Sequence, residues 1–270
     1  MDIHHESPDG YRQFARQTGQ GPHRLLLVHG FPFDHTQWAP QSEGLGGVAT
    51  LMAPDLRGLG RSAGSDDPSR YSMSMYADDL ARWLDRAGWE RTVLVGLSMG
   101  GYIAFEFVRR HPDRLLGLIL ADTQPAADPP EVRRNRQTTA ERVRELGMDE
   151  VVPGLLDKVL GATTRRGRPE VVARVREMMA AAPVPGVVGA LGAMARRPDS
   201  APTLAGIGVP TLVVVGEEDT LTPPTLAEAI TAAIPAAQLI RIPQAGHISP
   251  LEDPDAFNTA VHSFLEGLRE

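Results

Sequence analysis

The stretch Arg91-Thr92-Val93-Leu94-Val95-Gly96-Leu97-Ser98-Met99-Gly100-Gly101-Tyr102-Ile103-Ala104-Phe105-Glu106-Phe107-Val108 changes its periodicity at Ser98. Before the serine it is apolar and β-branched, the mark of a buried strand; after it the pattern is that of a helix. Glycines two residues to either side allow strand and helix to approach closely and leave Ser98 on a sharp, strained turn. Such a turn lifts the hydroxyl clear of a sheet and makes Ser98 a candidate nucleophile.

A serine hydroxyl reacts poorly at neutral pH without a base and a group that orients the base. Two later strands supply candidates. Thr211-Leu212-Val213-Val214-Val215-Gly216 runs into Glu217-Glu218-Asp219, and Gln238-Leu239-Ile240-Arg241-Ile242-Pro243 is followed by Gln244-Ala245-Gly246-His247. Acid and histidine each follow a strand by a few residues, which places both on the sheet edge that carries Ser98. Asp122 also ends a strand, Leu116 to Leu120, and is the reserve acid. A fourth strand, Leu25-Leu26-Leu27-Val28, ends in His29-Gly30-Phe31-Pro32-Phe33-Asp34.

The chain order Ser98, Asp219, His247, the His29-Gly30 loop and the turn Asp55-Leu56-Arg57-Gly58-Leu59-Gly60-Arg61-Ser62 together resemble the α/β-hydrolase fold serine hydrolases. The likeness runs over nearly the whole chain. It implies a catalytic triad of Ser98, His247 and Asp219, the last at the family's Gly-x-x-Asp spacing from Gly216. It also implies an oxyanion hole made by the backbone N–H groups of Phe31 and Met99. The expected activity is hydrolysis of small carboxylic esters or lactones through an acyl-enzyme, without metal or organic cofactor. The His-Gly-Phe-Pro loop and the Gly-Leu-Ser-Met-Gly-Gly turn are similar to those of 3-oxoadipate enol-lactonases, carboxylesterases and perhydrolases. They also occur in hydrolases of carbon–carbon bonds, and a slow or non-catalytic ligand receptor is the alternative from another class. A serine at the turn argues against dehalogenases and epoxide hydrolases of this fold, which place a carboxylate there.

Composition bounds these readings. The chain has 270 residues, of which 42% are hydrophobic, enough for one large core with an excursion. Net charge is −7, against the concentrated basic face that nucleic acid demands. Cysteine is absent, so disulfides and thiolate metal sites are excluded. No run approaches a membrane span and no basic leader precedes an apolar segment, so the sequence predicts a cytoplasmic protein with a small-molecule substrate and neither nucleic-acid nor membrane partners. Oligomeric state is left open. Lys158 is the one lysine among 27 basic residues, a bias that genome base composition explains.

Alternating signals predict an α/β fold: a mostly parallel eight-stranded sheet flanked by helices. Residues 2 to 6 and 11 to 17 form an antiparallel pair about Pro8-Asp9-Gly10; strands follow at 24 to 29, 48 to 53, 92 to 96, 115 to 121, 210 to 216 and 238 to 242. Helices are expected at 73 to 87, 99 to 110, 223 to 234 and 254 to 268. Between 123 and 203 the strand rhythm stops and helical patterns take over, so 1–122 with 204–270 reads as the core domain and 123–203 as a helical cap. Met148, Met178, Met179 and Met194 are expected on the underside of that cap, and Phe33 and Met194 are the candidate pocket residues.

Other features read as structural. His29 holds the loop it precedes. Gly58 to Gly64 resembles a dinucleotide loop, but no helix begins there and Asp78 falls within a helix. His4, His5 and Glu6 alternate faces on a strand and cannot converge on a metal. Arg133, Arg134 and Arg136, with glutamates nearby, read as a solvated helix face.

Overall fold

A computed structural model describes residues 1–268. Eight strands form one sheet in the order β1-β2-β4-β3-β5-β6-β7-β8. These are β1 (Asp2–Glu6), β2 (Arg12–Thr18), β3 (His23–Val28), β4 (Ala49–Pro54), β5 (Thr92–Leu97), β6 (Leu115–Ala121), β7 (Thr211–Gly216) and β8 (Gln238–Ile242). The first two pairings, β1 with β2 and β2 with β4, are antiparallel, and every later pairing is parallel. Strand β5, which leads into Ser98, therefore lies between β3 and β6 in the interior, and the loops after β3, β5, β7 and β8 open on one edge.

Burial explains which strands are continuous apolar runs. Every residue of β4, β5 and β7 is buried, as expected for strands covered on both faces. The covering helices are α1 (Ala39–Gly44), α2 (Met73–Ala87), α3 (Met99–Arg110) and, after the gap, α9 (Pro224–Ala233), α10 (Ser249–Glu252) and α11 (Pro254–Glu266). Helix α2 shows how sharply local chemistry sets an element. The Ser72 hydroxyl accepts from the Met75 N–H at 3.0 Å, and Gly88 ends the helix at φ 66°, where a side chain would be strained.

Between β6 and β7 no strand occurs among the described residues. Five α-helices fill the interval, α4 (Pro130–Leu146), α5 (Met148–Val159), α6 (Ala162–Gly167), α7 (Pro169–Ala180) and α8 (Val184–Ala195), followed by a 3-10 helix at Ala201–Gly206. The short α6 was not expected from the sequence, whose Thr and Gly content hides it. Most boundaries differ from expectation by one or two residues, the usual scatter at frayed ends. The largest trimming at a described end is of α11, which stops at Glu266 because Gly267 follows.

The other motifs take structural places. His4 packs on Phe14 at 5.3 Å between ring centres and His5 on Trp83 at 4.2 Å, on opposite faces of β1. Asp78 lies on α2 and binds Arg110 and His111 at the end of α3. Gly58 takes φ 81°, and a Cβ there would lie 3.0 Å from the Cα of Gly186 in α8, so this loop is a close contact between sheet edge and helical segment.

Candidate active site

Ser98 has φ 52° and ψ −112°, in a region that side-chain-bearing residues seldom occupy. Its glycine neighbours make the turn possible. A Cβ on Gly96 would lie 2.5 Å from the carbonyl oxygen of Gly100, and one on Gly100 would lie 2.3 Å from that of Val28. Strand, turn and helix thus touch backbone to backbone, and the Ser98 side chain is directed outward as the partly exposed member of a buried stretch.

His247 is reached across the edge. Its Nε2 is 2.7 Å from Ser98 Oγ, and its Nδ1 is 2.8 Å from Asp219 Oδ2. The Asp219 carboxylate also accepts from the Leu221 N–H at 2.8 Å, the Thr222 N–H at 3.0 Å and the Thr222 hydroxyl at 2.6 Å. Burial pushes this carboxyl upward, but the His247 charge and these donors outweigh it and hold Asp219 below the ordinary carboxylate value. An ionised Asp219 only accepts, so Nδ1 carries the proton and Nε2 is left to accept from the serine hydroxyl. This geometry can move a proton from Ser98 to the imidazole.

The reserve acid, Asp122, occupies a different place. It accepts from the Gly216 N–H at 2.8 Å and meets the Ser249 hydroxyl at 2.6 Å, joining the ends of β6 and β7 to α10. Burial, then the nearby Asp219 charge, raises its pKa well above the ordinary value. A buried carboxyl bonded in this way fits a structural link between loops.

The loop after β3 presents free donors. The N–H groups of Phe31 and Met99 have no hydrogen-bond acceptor among the described residues. Neighbouring atoms hold the loop firmly: His29 Nδ1 meets the Gly30 carbonyl at 2.9 Å, His29 Nε2 accepts from the Leu56 N–H at 3.0 Å, and the Gly30 N–H donates to Gln37 at 3.0 Å. His29 is fully buried and burial lowers its pKa, consistent with a neutral ring that both donates and accepts. It supports the loop, its ring bonding to Gly30 and Leu56 and not to Ser98 or Asp219.

A cavity of about 330 Å³ opens beside Ser98, Phe31 and His247. Helices α4, α5, α7 and α8 supply much of its wall, including Met179 and Met194. Three expectations need correction. Phe33 is 2% exposed within the core and does not line the cavity, because its loop turns it under the sheet edge. Met148 and Met178 do not line the cavity: Met148 is buried in the core and Met178 is half-buried against it. Arg136 is no solvated surface residue: it lines the cavity and binds the buried Asp128. Glutamates near it in sequence masked this, since on a helix the third or fourth neighbour, not the adjacent one, shares its face.

Several residues at the site escaped the sequence reading. Tyr102 lines the cavity one helical turn after Ser98, a spacing that would have pointed to it. Thr222 contacts both Asp219 and His247, at 2.6 Å and 3.1 Å. Lys158 and Gln124 line the wall without any motif to mark them. The helical segment also reaches the relay itself: the His247 N–H donates to the Val159 carbonyl at 2.9 Å. Beside it, Glu252 accepts from the N–H of Gly161 at 2.8 Å and of Gly246 at 2.9 Å, and Glu218 accepts from the Thr163 N–H at 2.7 Å.

For metals, one set of side chains among the described residues comes close, Asp34, His35 and Asp55, with ligand atoms within 4.8 Å. Asp55 there already accepts from the N–H groups of His35 and Arg61, both at 2.7 Å, and from His35 Nδ1 at 2.7 Å. Those bonds tie the loop after β3 to the turn after β4.

Fold, strand-edge loops and cavity describe a hydrolase. Residues 23–254 match the model of the alpha/beta hydrolase fold family, and the chain belongs to that family. It is similar to a thermophilic esterase from Thermogutta terrifontis, solved with malate bound, at 39% identity and TM-score 0.94 over 100% of both chains. It also resembles the enol-lactonase of Burkholderia xenovorans LB400, at 27% identity and TM-score 0.89 over 98% of this chain and 100% of the other. A further relative is the provisionally named carbamate hydrolase RutD of Caulobacter sp. strain K31, 30% identical over 89% of this chain and 94% of its own length. No single helix among the described residues is long and apolar enough to cross a membrane.

Proposed function

We propose that this protein is a serine hydrolase that cleaves small carboxylic esters or lactones through an acyl-enzyme on Ser98. The observation that carries the reading is the continuous hydrogen-bonded line from Ser98 Oγ to His247 at 2.7 Å and on to Asp219 at 2.8 Å. Ser98 Oγ attacks the carbonyl carbon while its proton passes to His247 Nε2. The carbonyl oxygen, now negative, is held by the N–H groups of Phe31 and Met99; the second of these opens helix α3, whose dipole favours negative charge. Collapse breaks the bond to the alcohol oxygen, which takes the proton from His247. Water then repeats the sequence on the acyl-enzyme, releasing the acid and restoring Ser98. Asp219 keeps Nδ1 protonated and stabilises the imidazolium that forms.

In this reading residues 123–203 act as a cap that shapes the acyl pocket, with Met194 on its wall. The esterase and lactonase relatives support an ester-type substrate. Treatment with an alkyl fluorophosphonate, followed by peptide mapping, tests the assignment. Ser98 is the expected site of modification, and Ser98→Ala lowers turnover of an aryl acetate by about 10⁴-fold to 10⁶-fold. Labelling of another residue, or none in the folded protein, overturns it.

A further inference from the structure

We propose that the cavity is a carboxylate-recognising pocket, in which Lys158 and Arg136 select esters or lactones that bear a free carboxylate a few carbons from the scissile bond. This rests on the serine-hydrolase reading above.

The chain carries 34 acidic against 27 basic residues, yet Arg136 and Lys158 share the cavity wall with one acid, Asp128. Asp128 is itself shared. Its buried carboxylate lies between Arg136, whose Nε donates at 2.5 Å, and Arg197, whose Nη1 is 2.7 Å away. Two guanidiniums on one carboxylate leave a net positive charge, and Arg136 is the cavity-lining member of that pair. Its Nη1 meets the Met194 sulfur at 3.3 Å, a weak acceptor that a carboxylate oxygen would outcompete.

Lys158 adds a second cation without a partner. Among the described residues no carboxylate pairs with it; the adjacent Asp157 lies 3.5 Å from Arg165 instead. The root of this side chain is fixed beside the relay, because the next residue, Val159, accepts the His247 N–H through its carbonyl at 2.9 Å. Lys158 lines the cavity while remaining exposed, and its long flexible stem lets the ammonium reach a carboxylate bound there. Asn135 and Thr139 add polar groups on α4, while Val159, Leu191 and Met194 supply apolar surface for a short methylene spacer. A pocket for plain acyl chains needs no such cations, whose desolvation would oppose binding.

The test compares kcat/KM for monomethyl glutarate with that for dimethyl glutarate, and for 3-acetoxypropionate with its methyl ester, by titrating released acid. These pairs place the charge on the acyl and the alcohol side. The native protein should favour the charged member of at least one pair by about tenfold, the worth of one charge-assisted contact. Lys158→Gln should remove that preference, Lys158→Arg should keep most of it, and added salt should weaken it. Arg176→Gln, on an exposed face of α7, serves as the control that retains it. The proposal is overturned if neutral esters are cleaved and Ser98 labels, yet neither pair shows a preference or Lys158→Gln leaves it intact. Absence of all turnover and of Ser98 labelling overturns the serine-hydrolase reading, and this one with it.

Discussion

The strand-edge loops and the helical segment between β6 and β7 face the same cavity but are held by different means. In the loops side chains and neighbouring backbone fix the turns at His29, Gln37, Asp55 and Asp122, and glycines at 96 and 100 bring strand, turn and helix to backbone contact. Helices α4 to α8 begin without a single side-chain cap, and the segment meets the loops through a few polar links. Those nearest His247 are at Val159, Gly161 and Thr163. On the proposed mechanism the chemistry would be confined to the loop positions, while the wall that would select substrate could vary with little effect on them. The link from 159 to 163 is the join nearest His247; farther off, Gly186 touches Gly58, and Arg168, Arg174 and Arg196 donate to the carbonyls of Glu252, Thr36 and Tyr71.

The largest test of this division lies in the loops. Asp219→Asn should fold normally and lose about 10⁴-fold in turnover, because an amide favours the wrong imidazole tautomer. Asp122→Asn should lose less than about tenfold, since that side chain bonds Gly216 and Ser249 and not His247. Steady-state rates on an aryl acetate, with circular dichroism to verify folding, decide between the two acids. A greater loss in Asp122→Asn would reassign the acid.

The two regions also differed in how far the sequence revealed them. Strand-edge positions were legible because backbone geometry demands special residues: Ser98 between glycines, Asp219 three residues after Gly216, His247 after β8. The sheet was legible because strands covered on both faces become continuous apolar runs, as in Val93 to Val95 and Leu212 to Val215. Helix positions in the insertion were legible from periodicity, but its cavity face was not. Arg136 looks like any solvated cation until helix packing half-buries it against Asp128, and Lys158, though exposed, is brought to the cavity by the same packing, a tertiary effect that no local pattern encodes. Phe33 failed for the opposite reason: lying close to Phe31 in sequence says nothing of which side of the loop it occupies.

A smaller effect is expected at the link between regions. Glu252 is buried, with one carboxylate oxygen on the Gly161 N–H of the helical segment and the other on the Gly246 N–H next to His247. Glu252→Gln keeps the shape but turns one acceptor into a donor facing an N–H. The expected outcome is about a tenfold to hundredfold fall in kcat for a small aryl ester, as His247 loses its alignment, with little change in KM. Stopped-flow labelling of Ser98 by a small phosphonate should slow in parallel. If only thermal stability falls while labelling stays fast, Glu252 is a packing group and the two regions are more independent than drawn here.

The smallest effect is thermodynamic and separates the two buried acids of the loops by sign. Asp219 is held below its ordinary pKa, so its stabilisation is present above that ordinary value, 3.8, and is lost as pH falls through the lowered folded value. Asp122 is raised, so its contribution is complete below 3.8 and is lost as pH rises toward its folded pKa. Above pH 3.8 the Asp219 contribution is constant, while that of Asp122 declines until its raised folded pKa is passed. Asp122→Asn cannot ionise, and its melting temperature relative to the native protein should therefore climb as pH rises from 3.8 toward the folded pKa of Asp122. Each kcal/mol of difference corresponds to about 2 to 4 °C for a chain of this size. Because the comparison is between variant and native protein at each pH, the opposing titration of His29 and the like-signed one of Glu252 cancel. Scanning calorimetry at four or five pH values measures the trend. A difference that is flat, or falls with pH, would mean that Asp122 is ionised in the folded protein and that both acids of the loop cluster carry charge.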